Sequence, residues 1–185
     1  MQTTAIMSSA LVQLYRHKTW ATLQLIEYCE GLADEDLDAT IPGTYGTIRE
    51  TLKHIVDAEE GYYSILTRQP FQTRAEAEAF VPSDPPPPDG PVSLAELAAR
   101  IRLLGPKWEA LAPDGDLPGR EVTSRDGFVF PGWVPMVQAI HHADDHRSHV
   151  MSILGARGLP TPEPDGLDTW GYAQSLGQMR EMTDA

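Results

Sequence analysis

The stretch Val137 to Gly158, VQAIHHADDHRSHVMSILGARG, constrains this chain more than any other, because it places four of six histidines within nine residues. Around them Pro135, Ala139, His142, His146, His149 and Ile153 follow steps of four and three, the spacing of the inward seam of a helix. Histidines therefore stand where leucines would normally pack. At about 100° per residue, His142, Asp145, His146 and His149 share an arc of roughly 100°, while His141 and Asp144 point elsewhere. A buried imidazole is costly unless something satisfies its nitrogens. A divalent metal does so economically, and His-x-x-x-His on a helix presents two imidazoles to one side of an ion.

The rest of the chain predicts a helical frame for that seam. From about Ser8 to Gly31 the positions Leu11, Leu14, Ala21, Leu25, Tyr28 and Leu32 keep helical spacing, with Gly31 as the stop. His17 lies off this stripe beside Arg16 and Lys18 and reads as solvated, while Cys29 reads as a small core thiol. Residues 32–46 are acidic and rich in turn formers, so they read as a connection. Thr47-Ile-Arg-Glu50 matches a capping box and opens a second helix to about Thr67. One stripe of that helix, Ile48, Leu52, Ile55, Tyr62 and Leu66, is core; beside it runs another carrying His54 among small residues.

Residues 68–92 contain PSDPPPPDGP, which predicts an extended crossover rather than helix or strand. Ser93-Leu-Ala-Glu96 is a second capping box, opening a third helix through Leu94, Leu97, Ile101, Leu104 and Trp108 to about Leu111, its last turn bent or interrupted at Pro106. Between 113 and 131 the period changes, and Arg125-Asp126-Gly127 between short β-prone runs predicts a hairpin. The fourth helix begins near Gly132 or Trp133 and closes at Gly158. The tail is expected to pack Leu167, Trp170 and Tyr172 back on the helices and to fray after about Leu176. These elements make one domain over 1–185, an all-α four-helix bundle with a long proline-rich crossover between its second and third helices and a small hairpin before the fourth.

Charge narrows the partners. With 14 basic against 27 acidic residues the net charge is −13, which argues against nucleic acid and anionic membrane. One cysteine excludes an internal disulfide. The absence of a signal-like segment or a long apolar run leads to the expectation of a cytoplasmic protein.

Three readings compete for the histidines. One is a satisfied polar core or solvated face. A di-iron carboxylate site would need paired Glu-x-x-His motifs, which the sequence lacks. The third is a mononuclear site built from His142, His146 and His54, the one well-placed histidine of a neighbouring helix. Three imidazoles leave a coordination position open, as catalytic sites do. Such an ion can acidify water or a thiol, and imidazoles alone do not choose among zinc, nickel, iron and manganese.

Tyr15 to Trp20, GTYGTIRETLKHIVDAE at 43–59, HHADDHRSHV at 141–150 and DGLDTWGYA at 165–173 together resemble the DinB/YfiT-like family, in order over almost the whole chain. The resemblance implies an up-down-down-up type bundle, commonly a homodimer, with one divalent transition metal per chain on His54, His142 and His146. It also implies a metal-dependent enzyme acting on a small molecule, foremost an S-transferase that activates a low-molecular-weight thiol, for which soft sulfur suits zinc or nickel ahead of iron or manganese. A hydrolase activating water, and a metal- or ligand-binding stress protein without turnover, are the alternatives. No catalytic residue is assigned.

The family usually follows its His-Arg pair with Gly-Gln, whereas this chain has Ser148-His149. His149 is expected to line the pocket or support the ligands, with direct ligation as the competing role. Asp145 is a candidate to orient a ligating imidazole, or else a solvated carboxylate. Arg147 points about 100° away from His146, which leaves a surface or intersubunit salt bridge and a substrate contact both open.

Overall fold

The computed structural model describes residues 9–67, 75, 92–163 and 166–179. It is mostly helical: α1 spans Ala10–Cys29, α2 Asp34–Leu37, α3 Ile48–Thr67, α4 Leu94–Leu111, α5 Trp133–Ala156 and α6 Thr169–Ser175. One two-stranded antiparallel sheet pairs β1, Glu121–Thr123, with β2, Val129–Pro131, in the register Val122 opposite Phe130. The proline-rich crossover falls almost entirely on residues outside those described.

Local chemistry starts and stops the helices. Ser9 caps α1 by accepting from the Val12 amide. At the head of α3 the capping box closes in both directions, with Glu50 N donating to Thr47 Oγ1 at 3.1 Å and Thr47 N donating to Glu50 Oε2 at 2.9 Å. Ser93 caps α4 through the Glu96 amide. Gly158, at φ +70°, ends α5 in the left-handed conformation that favours glycine. Gly132 is required for a different reason: a side chain there would collide with the Leu117 carbonyl, so the hairpin could not feed into α5 at this distance.

The long helices pack chiefly as α1 on α4 and α3 on α5. Two apolar clusters result, one around Leu25, Leu52, Leu97 and Ile153, the other around Tyr15, Leu66, Trp108 and Met136. Between the levels of Tyr15 and Leu25 on α1, and of Val56 and Leu66 on α3, lies an ion pair. Lys18, fully buried, donates to Glu59 at 2.6 Å, with its ammonium 4.9 Å from the Trp108 ring centroid.

Several expectations are corrected. The buried stripe of α1 runs through Val12, Tyr15, Lys18, Ala21, Thr22, Leu25 and Cys29, and Leu14 is 40% exposed. The burial of Lys18 as counter-ion to Glu59 turns the first half of the helix by about one residue. Pro106 does not interrupt helix α4, which runs through it to Leu111 as expected; Gly105 beside it faces α1, where a Cβ would lie 2.6 Å from Thr19. The acidic connection contains α2, whose first-turn Asp34, Glu35 and Asp36 suit a helix N-terminus while Leu37 enters the core. Trp170 is 69% exposed rather than packed back, although Leu167 and Tyr172 do pack.

A candidate metal centre

Helix α3 supplies His54, one turn past the capping box, and α5 supplies His142 and His146. Their ligand-capable nitrogens all lie within 4.8 Å of one another. His142 Nε2 and His54 Nε2 are 2.9 Å apart, a separation at which two ring nitrogens share either a proton or a cation. Nitrogens bound at about 2.0–2.1 Å to one ion stand roughly 3 Å apart, so the spacing fits a shared metal. The Nδ1 atoms of His142 and His146 are buried without hydrogen-bond partners, so no protein acceptor takes a proton from either Nδ1.

The rings hold one another edge to face. The centroid of His146 is 4.3 Å from that of His142 and 4.7 Å from that of His54. Tyr45, from the loop before α3, stacks on His54 at 3.9 Å with 10° between the planes and meets His146 edge-on at 5.2 Å. A groove of about 350 Å³ opens beside His54, walled by Tyr45, Glu50, Lys53 and Asp57.

Burial sets the protonation state. Desolvation, then the neighbouring His146 and His54, pushes His142 down to about 4. Desolvation also lowers His54 and His146; Asp57 opposes it at the first and Asp145 at the second. All three are therefore neutral at pH 7, the form in which imidazole binds a metal.

The other expected positions fall as follows. His149 stands beside the trio, its ring 5.0 Å from that of His146 and its Nδ1 buried and unpartnered. Asp145 is exposed, as is His141. His17 is half-buried rather than plainly solvated: its Nε2 donates to the Leu167 carbonyl at 2.8 Å, and its ring adjoins those of Trp20 and Tyr172. Arg147 is corrected most sharply. It is only 5% exposed, donating to Thr22 Oγ1 and Asp144 Oδ1, both at 3.1 Å, because Ala143, Arg147, Val150 and Leu154 form a second buried stripe on α5. Burial lowers its pKa, with Asp144 and Glu59 opposing.

Sequence reasoning assigned no role to Tyr45, although Tyr45 lies one residue before Gly46 and two before the capping box that starts the histidine helix. It also missed the Lys18–Glu59 pair. A lysine and a glutamate at positions facing each other across two apolar stripes were the available signal.

The sequence model described as the DinB family matches residues 1–170, and on that span the chain belongs to the DinB family. No curated protein matches the chain. Among the described residues, no helix is long and apolar enough to cross a membrane.

Proposed function

From membership of that family and the geometry of its imidazoles, we propose that this chain is a metal-dependent S-transferase. In this reading His54, His142 and His146 hold one divalent transition metal, zinc or nickel ahead of iron or manganese. The reaction joins the sulfur of a low-molecular-weight thiol to a small electrophilic acceptor. The observation that carries it is three neutral nitrogens from two helices converging within 4.8 Å, a donor set that leaves a coordination position free. When bound, such an ion lowers the pKa of a thiol enough to leave it anionic at neutral pH.

The chain's own groups bind and orient. Tyr45 covers one face of His54 and confines approach to the groove beside it. His149 supports His146 through the contact between their rings, and Asp145 acts on that ring through its charge. As the new carbon–sulfur bond forms, the acceptor's leaving group departs with its electron pair and the thiol proton passes to solvent. We also read α1, α3, α4 and α5 as a four-helix bundle, supported by the packing of α1 on α4 and α3 on α5, and the protein as a cytoplasmic homodimer.

The test is to load the untagged protein with zinc or nickel and follow consumption of common cellular thiols with a chromogenic electrophile, beside hydrolysis of esters and amides. Thiol consumption that needs the metal and vanishes in His142→Ala supports the transferase. Metal-dependent hydrolysis without any thiol requirement replaces it with the hydrolase. No turnover, together with a cobalt spectrum indifferent to added thiols and anions, leaves a binding protein.

A further inference from the structure

The buried polar groups outside the imidazoles form a connected set. Lys18 and Thr22, one turn apart on the same face of α1, are both fully buried. Lys18 Nζ donates to Glu59 Oε2 on α3 at 2.6 Å, and Thr22 Oγ1 accepts from Arg147 Nη1 on α5 at 3.1 Å. Helices α3 and α5 are the two that carry the imidazoles. Glu59 follows His54 by five residues, about 7.5 Å along the axis, and Arg147 directly follows His146. One face of α1 therefore holds both histidine-bearing helices, each through a group close to its histidines.

These groups also act on one another. Burial lowers the Arg147 pKa, and the charges of Asp144 and Glu59 oppose it. Burial lowers Lys18 too; Glu59 opposes that, and the like charge of Arg147 adds to it. Glu59 thus acts on one cation from α1 and on another from α5. An ion pair taken out of water is often no more stabilising than apolar residues of the same volume, so charge here is poorly explained by stability alone. What it adds is direction. Along α5 the buried positions on either side of His142 are Ala139 and Ala143, whose methyl groups are too short to key one helix against another. Arg147, next on that stripe, is hydrogen-bonded across to α1. Bonds of 2.6 and 3.1 Å break when a helix slides by one residue, about 1.5 Å, whereas apolar contacts re-form.

We propose that Lys18 and Thr22 are positioning residues for the metal centre: through Glu59 and Arg147 they set the offset at which His54 meets His142 and His146. The proposal rests on those three imidazoles holding a metal, and it is independent of the reaction carried out there. Nitrogens within 4.8 Å of one another suit a single ion only while that offset is kept. Neither Lys18 nor Thr22 needs to touch the ion.

The test is cobalt binding by the untagged full chain, read as a Kd in competition with a chromogenic chelator and as the visible absorption of the bound ion. Three variants stand beside the parent. Lys18→Met with Glu59→Leu replaces the pair by apolar side chains, Thr22→Val removes only the acceptor of Arg147, and Thr22→Ser keeps it. The double variant and Thr22→Val should each bind cobalt about tenfold more weakly, as when groups that orient ligands are removed, and with altered visible bands. Thr22→Ser should match the parent in both readouts. Urea midpoints taken alongside separate positioning from stability, and if the double variant does not fold, Thr22→Val against Thr22→Ser decides alone. Parent-like affinity and spectrum in either folded variant would overturn the proposal and leave the network purely structural. Equal weakening in Thr22→Val and Thr22→Ser would overturn it as well, because the hydroxyl would then have no part. A parent chain that takes up no cobalt is a different result: it overturns the metal reading itself, and this proposal with it.

Discussion

At the scale of single residues, the fate of the imidazoles follows from burial. A histidine in water is half protonated near pH 6.5, but His142 is held down to about 4 and so offers a lone pair at neutral pH. Removing it takes one of the three proposed ligands and the nitrogen that lies 2.9 Å from His54 Nε2. His142→Ala is expected to drop metal content from about one per chain to near zero after dialysis, with helical circular dichroism retained; unchanged stoichiometry by elemental analysis would remove His142 from the site. Tyr45 makes a subtler case. Its ring is 53% exposed, so its stack on His54 contributes little to folding, yet it holds the plane of a proposed ligand. Aromatic pairs contribute about 0.5–1.5 kcal/mol, so Tyr45→Ala should weaken metal affinity by up to about tenfold. The melting temperature of the chelated protein should stay put, and a competition assay with a chromogenic chelator reads the difference.

At the scale of elements, the buried pair between α1 and α3 is the informative contact. Lys18 has no exposure and Glu59 only 2%, and Glu59 Oε1 lacks a partner. Burial drives the lysine towards its neutral form, and the carboxylate opposes that. Truncating one partner strands the other, so Lys18→Met alone should cost about 3–5 kcal/mol, whereas Lys18→Met with Glu59→Leu should recover most of it. Denaturant midpoints of the four proteins in the cycle decide this; a loss in the double variant equal to the sum of the two single losses would mean that the pair is not coupled. The same contact explains what the sequence made legible. Helices α3, α4 and α5 could be read from their stripes because Ile48, Leu52, Leu97, Ile101, Ile153 and their neighbours are apolar where they are buried. The extent of helix α1 was legible, but the first half of its buried stripe was misplaced because a charged residue holds a core position, which periodicity in hydrophobicity cannot register. Arg147 was misplaced on the same ground, since its burial depends on Thr22 from a helix more than a hundred residues away. Histidine spacing pointed to the imidazole trio because its signal is local on α5; Tyr45 needed the three-dimensional path of the loop.

At the scale of the whole molecule, the histidines tie stability to pH. A group whose pKa is lower in the folded chain than in the unfolded one binds fewer protons when folded, so stability rises with pH across the interval between the two values. For His142 that interval runs from about 6.5 unfolded to about 4 folded, and the lowered values of His54 and His146 act in the same sense. The contribution is therefore complete above about pH 6.5 and is lost as pH falls towards 4. Metal held on the three proposed ligands would add to it, because protons compete with an ion for the same nitrogens. The loaded protein should accordingly lose thermal stability and metal together as pH drops below about 6. The chelated protein should melt lower at pH 7 and decline less steeply. Removing one imidazole flattens the chelated curve further, so His142→Leu should show a smaller fall in midpoint between pH 7 and 5 than the chelated parent, carboxylate effects being common to both. Calorimetric scans of the three samples at half-unit steps check the ordering. Identical slopes in parent and variant would mean that His142 does not titrate between its folded and unfolded states, and the electrostatic account of the cluster would fail with it.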